Sequence, residues 1–300
     1  MRRKLRSGAL LVAVALVAAA CSDDGGSATS DDTSAPTGAA SFEQPFTDAE
    51  AYPVFASSEI VKGDNRLLIG LLSDEDAPIA SPDISMHVAF YDLAESAERP
   101  EFETDAEFVD TGPRGLYVTY PTFDSTGKWG AEVSVSGDGL DETVRASFDV
   151  ASKPKTPAIG ERVPPSRTPT IDDHKLAAIT TDENPDPRFY ESSIHEAIAA
   201  GKPFVVTFAT PKFCSSAVCA PTLDIVKKES KDWPRVEFIH VEVYENIDDP
   251  DDLEPAPAVL EWELPSEPWV FVVDGAGKVA AKFEGTVTAA ELDDVLSDLD

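Results

Sequence analysis

The chain holds three cysteines, Cys21, Cys214 and Cys219. Two of them stand five residues apart in one short segment, Phe213-Cys214-Ser215-Ser216-Ala217-Val218-Cys219-Ala220-Pro221. Proline is tolerated only in the first turn of a helix, so Pro221 places Cys219 or Ala220 at a helix N-terminus. A thiol there faces unpaired N–H groups and the positive end of the helix dipole, which lowers its pKa and makes it a nucleophile. Three chemistries suit such a pair. It could exchange disulfides, or form a disulfide that only locks the loop, worth about 2 kcal/mol for so short a ring. It could also hold a soft metal such as Cu(I) through two thiolates.

The other candidate ligands do not gather around the pair. His240 is the only histidine after the cysteines and falls in Phe238-Ile239-His240-Val241, where it reads as a hydrogen-bonded strand residue. His87, His174 and His195 are scattered without ligand spacing. Asp248, Asp249, Asp251 and Asp252 form an acidic loop that lacks the ligand spacing and glycine of a calcium loop. The chain carries no P-loop, dinucleotide fingerprint, G-x-S-x-G or H-E-x-x-H. No cofactor and no metal are therefore expected.

Cys21 has a different setting. Arg2, Arg3, Lys4 and Arg6 precede an apolar run from Gly8 to Ala20, which is shorter than the ~20 residues needed to span a bilayer but suits a signal peptide. The run ends in Val17-Ala18-Ala19-Ala20-Cys21, which resembles a bacterial lipobox, with Ala18 where leucine is commoner. That resemblance implies cleavage after residue 20, lipidation of Cys21, and residence on the extracytoplasmic face of the cell membrane. An exported pair of thiols would then sit where disulfides persist. Formal net charge is -32; losing residues 1–20 removes four of the 24 cationic residues and none of the 56 acidic ones, leaving -36. So acidic a surface excludes nucleic acid and anionic headgroups as partners.

The elements that must position the cysteines follow from patterning. Residues 21–44 are small and polar and read as a flexible acidic tether. Residues 45–152 alternate apolar and polar in short runs, Arg66–Leu72, Ile84–Tyr91, Glu107–Thr111, Leu116–Pro121, Trp129–Val135 and Thr143–Val150, separated by turn clusters. This predicts an antiparallel all-β sandwich. Residues 153–170 carry five prolines and predict a semi-extended linker and domain boundary. In residues 171–300 helix and strand alternate. Ser193-Ile194-His195-Glu196 and Thr288-Ala289-Ala290-Glu291 are capping boxes, Phe204–Ala209 and Val236–Tyr244 are strands joined by a helical segment, and Gly275-Ala276-Gly277 joins a hairpin. The expected fold is thus an Ig-like sandwich followed by an α/β domain.

Two resemblances sharpen this. The segment from Arg114-Gly115-Leu116-Tyr117 to Gly127-Lys128-Trp129 resembles Ig-like domains of the bacterial FixH/YtkA type. Residues 171–300 resemble thioredoxins and membrane-tethered TlpA-like redoxins: Phe204–Thr210 matches the strand leading into the cysteine loop, and Glu267-Pro268-Trp269-Val270 with Gly277-Lys278-Val279 matches the cis-proline strand and hairpin. The resemblance implies thiol-disulfide exchange with exported protein thiols or disulfides, with Cys219 attacking, Cys214 resolving and Pro268 seating the partner. Cys219-Ala220-Pro221-Thr222 overlays C-G-P-C, with Thr222 replacing the second cysteine, so the pair becomes C-x4-C. Thr207 stands where thioredoxins bury an aspartate. The same fold is shared by Sco-type copper chaperones, which keeps a copper-handling or purely binding role open. Ser216-Ala217-Val218-Cys219 also resembles the T-x-x-C of peroxiredoxins, without a suitably placed arginine.

Overall fold

Alternation between positions 51 and 150 produces antiparallel strands. The computed structural model describes residues 38–44, 46, 49–112 and 115–299, all within one compact unit. Cys21, its preceding apolar run and most of the expected tether lie outside the described residues. Among the described residues no helix is long and apolar enough to cross a membrane.

The described chain is mostly β. Its first half contains β1 (Ala51–Phe55), β2 (Gly63–Asp64), β3 (Leu67–Ser73), β4 (Ser85–Asp92), β5 (Phe102–Asp110), β6 (Gly115–Thr119), β7 (Thr122–Phe123), β8 (Gly127–Gly137) and β9 (Leu140–Val150). Seven of these form one antiparallel sheet in the order β1-β3-β6-β5-β4-β8-β9. Two separate sheets were expected; β5 joins them. Its residues Phe102 to Ala106 pair with β4, and Glu107 to Asp110 pair with β6. The two ends of the sheet share one core, where Leu67 and Ile69 of β3 meet Val88 and Phe90 of β4 and Val133 of β8. Phe90, Phe123, Trp129 and Phe148 stack edge-on at its centre.

Within the segment 21–44 expected as a tether, the described end is packed. Ala39–Glu43 form a 3-10 turn whose Phe42 is buried between Tyr91 and the Arg145 guanidinium, 4.8 Å above its ring. Gly130 makes the room, since a Cβ there would lie 2.6 Å from the Phe42 ring. One buried phenyl ring offsets the ordering of a few residues.

The second half contains α1 (Ile194–Ala200), β10 (Phe204–Ala209), α2 (Cys219–Glu229), β11 (Glu237–Glu242), β12 (Tyr244–Glu245), β13 (Glu254–Pro255), α3 (Pro257–Glu261), β14 (Trp269–Val273), β15 (Val279–Glu284) and α4 (Ala289–Ser297). Both capping boxes form, and Gly201 ends α1 in the left-handed conformation. A four-stranded sheet runs β11-β10-β14-β15, parallel between β10 and β11 and antiparallel elsewhere. Every residue of β10 is buried because both faces of the sheet are covered. Phe204, Val206 and Phe208 pack with Ile194, Ala258 and Trp262 on one side. Val205 packs with Leu223, Val226, Leu292 and Leu296 of α2 and α4 on the other.

The proline-rich segment 153–170 has neither helix nor extended strand, yet it does not swing free. The Lys155 and Thr156 N–H groups donate to the Glu59 carboxylate at 2.6 and 2.9 Å, and Lys282 donates to both Glu59 and the Thr156 hydroxyl. Further on, Val163 bonds Gly277 and is buried in the second-half core. These groups are more stable paired than left half-buried and unsatisfied, and the prolines lower the entropy lost on tethering the segment.

The two sheets also touch directly. Arg66, before β3, places Nε 2.5 Å from Glu291 Oε1 and Nη2 3.1 Å from Oε2, with only 10% and 15% of the two side chains exposed. Its remaining nitrogen reaches the Glu284 carbonyl, and the Tyr120 hydroxyl donates to Glu291 at 2.6 Å.

Candidate active site

Cys214 and Cys219 are joined in a disulfide whose Cα atoms lie 6.0 Å apart. Cys219 is the first residue of α2, as Pro221 requires. Val218 precedes the helix without a side-chain cap, and Pro221 has no N–H. The Cys219 N–H turns instead to Cys214 Sγ, at 3.3 Å. The helix terminus is thus capped by the sulfur of the loop cysteine, and the donor that stabilises a thiolate points at Cys214.

Burial separates the two sulfurs. Cys219 is fully buried, whereas Cys214 is half-buried. The sequence expectation gives the attack to Cys219, the thiol at the start of the helix. In the structure the first N–H of α2 points at Cys214, and Cys214 is the more exposed of the two residues.

Ser216 connects this loop to the proline strand. Its hydroxyl lies 3.2 Å from Cys214 Sγ and 3.5 Å from the Glu267 carbonyl oxygen, and one hydroxyl proton serves one of them at a time. Ala217 holds φ at +63°, an uncommon conformation for a residue with a side chain, at the bend that brings Cys219 back to Cys214. The Glu267–Pro268 peptide bond is cis. Burial pushes the Glu267 carboxyl up, opposed by a backbone hydrogen bond from Ser215. From Pro268 the carbonyl accepts the Gly285 N–H at 2.8 Å, and the Gly285 carbonyl accepts the Thr222 hydroxyl at 3.1 Å. Thr222 therefore ties α2 to the strand carrying Pro268. The disulfide of Cys214 and Cys219 and the strand carrying cis Pro268 meet through Ser215 and Ser216, which contact Glu267. Ser216 and Glu267, which form this contact, carry no signal in the sequence beyond adjacency to the motif.

Behind the loop lies a buried polar cluster. His240 Nε2 is 3.0 Å from the Ala209 carbonyl and Nδ1 is 2.7 Å from the Tyr190 hydroxyl, which donates to Thr180. Burial pushes the imidazole down to about 4, so it is neutral near pH 7. Glu242 is buried two residues on, and burial pushes its carboxyl up against hydrogen bonds from the Thr181 N–H and hydroxyl, each 2.8 Å. The Thr181 hydroxyl accepts the Lys212 N–H, at 3.2 Å, and so steadies the chain entering the cysteine loop. Thr207 is fully buried and its hydroxyl has no partner among the described residues. Among the described residues no three His, Cys, Asp or Glu side chains gather as a metal site.

No protein-family model matches the chain, and no curated protein matches it. Among solved structures, a thiol:disulfide interchange protein of the thioredoxin family from Chlorobium tepidum is 17% identical, covering 50% of this chain and 99% of that one, with a TM-score of 0.32. The Lin-41 filamin domain is 11% identical over 40% of this chain and 100% of its own, at a TM-score of 0.21. Part of a Parabacteroides merdae β-glucuronidase is 15% identical over 35% of this chain and 14% of that one, at 0.22. These likenesses are distant, and the chemistry has to be argued from the geometry.

Proposed function

We propose that the chain is a thiol-disulfide exchange protein, built as an Ig-like β-sandwich in front of a thioredoxin-like fold and held by a lipid on Cys21 to the outer face of a membrane. The parallel β10–α2–β11 crossover, the antiparallel β14–β15 hairpin and the closing α4 support the thioredoxin-like part. The sequence around Cys21 supports the anchor.

One observation carries the activity: a half-buried Cys214, whose sulfur accepts the first N–H of α2, bonded to a sealed Cys219. An incoming thiolate attacks Cys214 Sγ and forms a mixed disulfide, and the Cys219 thiolate leaves. A second thiol of the client, as its thiolate, attacks the client sulfur of that mixed disulfide and releases Cys214. The client loses two electrons and two protons to become a disulfide, and the protein gains them as two thiols. Run backwards, the same steps reduce a client disulfide with Cys214 as nucleophile.

The test is the reduction potential of the pair in the full chain, equilibrated against glutathione or dithiothreitol. A value above about -270 mV with rapid exchange is expected. A value below about -300 mV with sluggish reduction would reduce the pair to a structural staple and end this reading.

A further inference from the structure

The outward face of β3 breaks the rule that a sheet packed on one side is polar on the other. Leu67, Ile69 and Leu71 point into the first-half core, and Leu68, Gly70 and Leu72 point away from it. The neighbouring strands extend this second apolar face: Val54 of β1 is 40% exposed, and Leu116 of β6 lies half-buried beside Gly70. Leu68 is covered by Gly285 at the contact between the sheets. The rest of the face forms one wall of a cleft of about 470 Å³. Its opposite wall is the disulfide loop and the proline strand, through Ser215, Ser216, Val218 and Glu267. That volume lies within the range of ligand-binding clefts.

The charged side chains lining the cleft are Glu267 and Glu284, with no cation among them. Glu284 is occupied by the Ser58 N–H and the Ser266 hydroxyl. Glu267 carries a carboxyl that burial keeps from ionising easily. A cation beside Glu267 would restore its charge, whereas an anion would be repelled by it and by the acidic surface outside. Small anionic thiols such as glutathione are therefore poor occupants. An unfolded polypeptide segment with aliphatic neighbours around its cysteine, and a lysine or arginine next to them, matches both the apolar wall and the carboxylate.

We infer that the first-half sheet selects the client: the outward face of β1, β3 and β6 seats aliphatic side chains flanking the client cysteine, with a basic residue at Glu267. The inference rests on the exchange reading for its chemistry, but the cleft can be tested apart from it.

The probe is a fluorescent peptide, Leu-Ser-Leu-Lys at its centre, with serine in place of cysteine so that no exchange occurs. Anisotropy with the oxidised full chain should show binding roughly tenfold tighter than for a peptide with Asn in place of both leucines and the lysine kept. A Val54→Asn/Leu116→Asn double variant, checked for an unchanged melting temperature, should lose that preference. Equal binding of the two peptides to the wild-type chain, or a preference that survives in the double variant, would overturn the inference.

The chemical arm uses the cysteine versions activated as mixed disulfides with thionitrobenzoate, added to the reduced chain. Cys214 displaces thionitrobenzoate, Cys219 then displaces the peptide thiol, and the pair closes to a disulfide. Faster release from the aliphatic peptide, in the same ratio, supports the inference. Selective binding without any release would retain the cleft and remove the exchange activity; release without selectivity would do the reverse.

Discussion

The Glu291 carboxylate caps its own helix and holds Arg66 of the first half at the same time. Oε2 accepts the Thr288 N–H at 2.9 Å and the Thr288 hydroxyl at 3.0 Å, while both oxygens face the Arg66 guanidinium. Burial would raise the Glu291 carboxyl, but Arg66, then Tyr120 and Thr288, hold it below its usual value. A group depressed in this way stabilises the fold above its unfolded pKa, and that stabilisation is lost as pH falls through the folded value.

Removing one partner strands the other in a nearly dry place. Arg66→Ala should cost about 3–5 kcal/mol in urea unfolding, as broken buried pairs do. Glu291→Ala should cost about 1 kcal/mol more than Glu291→Gln, because the amide keeps an oxygen for the cap. Equal losses for the two Glu291 variants would show that the cap contributes nothing beyond the pair.

Acid should weaken the molecule through His240. Its folded pKa of about 4 lies below the unfolded 6.5, so between those values the unfolded chain binds a proton that the native state refuses. Stability therefore falls as pH drops from 6.5 to 4, by about 3 kcal/mol in total. Glu242, raised by burial, acts in the opposite sense: it favours the fold at low pH and loses that contribution as pH rises through its folded value. In His240→Gln the acid limb should flatten by about 3 kcal/mol between pH 7 and pH 4. An unchanged limb would place the acid sensitivity in the carboxylates.

Cys214 should be the reactive thiol once the pair is reduced. Iodoacetamide at neutral pH should label it roughly tenfold faster than Cys219, since thiolate character and access both favour it. Peptide mapping reads the order of labelling. Cys219 labelled first would reverse the roles drawn from burial.

Gly285 closes the contact between the sheets, at φ +71° and with a hypothetical Cβ 2.9 Å from Leu68 Cδ1. Gly285→Ala should cost about 1–3 kcal/mol, combining the left-handed backbone with a crowded side chain. Pairing it with Leu68→Ala should cost less than the sum of the two single changes, because the crowding disappears. Strict additivity would leave the backbone as the whole cause.

The sequence carried the elements of the second half almost residue by residue. Phe204–Ala209 was legible because a strand buried on both faces is continuously apolar. Two capping boxes marked helix starts through side-chain chemistry that is local by nature. β1 escaped because Ala51-Tyr52-Pro53-Val54-Phe55 holds a proline and alternates weakly, which suits an edge strand. α3 escaped because five residues are too few to show helical spacing. The unequal burial of Cys214 and Cys219 was beyond reach, since burial and the direction of one N–H are tertiary facts. A hint of the cleft was available: Leu67-Leu68-Ile69-Gly70-Leu71-Leu72 is apolar at both parities, so one set of these side chains needed a cover other than its own core.

The strap of residues 155–163 bears on how such a protein can be taken apart and recombined. With Thr156 clasped between Glu59 and Lys282, and Val163 sewn to Gly277, a protease nick at exposed Ile159 should leave two fragments that copurify. The segment behaves as a seam, and a chimera joined there would keep the Val163–Gly277 bond but lose the one from Lys282 to Thr156. Grafting the cysteine-bearing half onto a foreign partner would transplant the disulfide while discarding the wall that faces it. Any reagent made that way should lose its discrimination between thiols first.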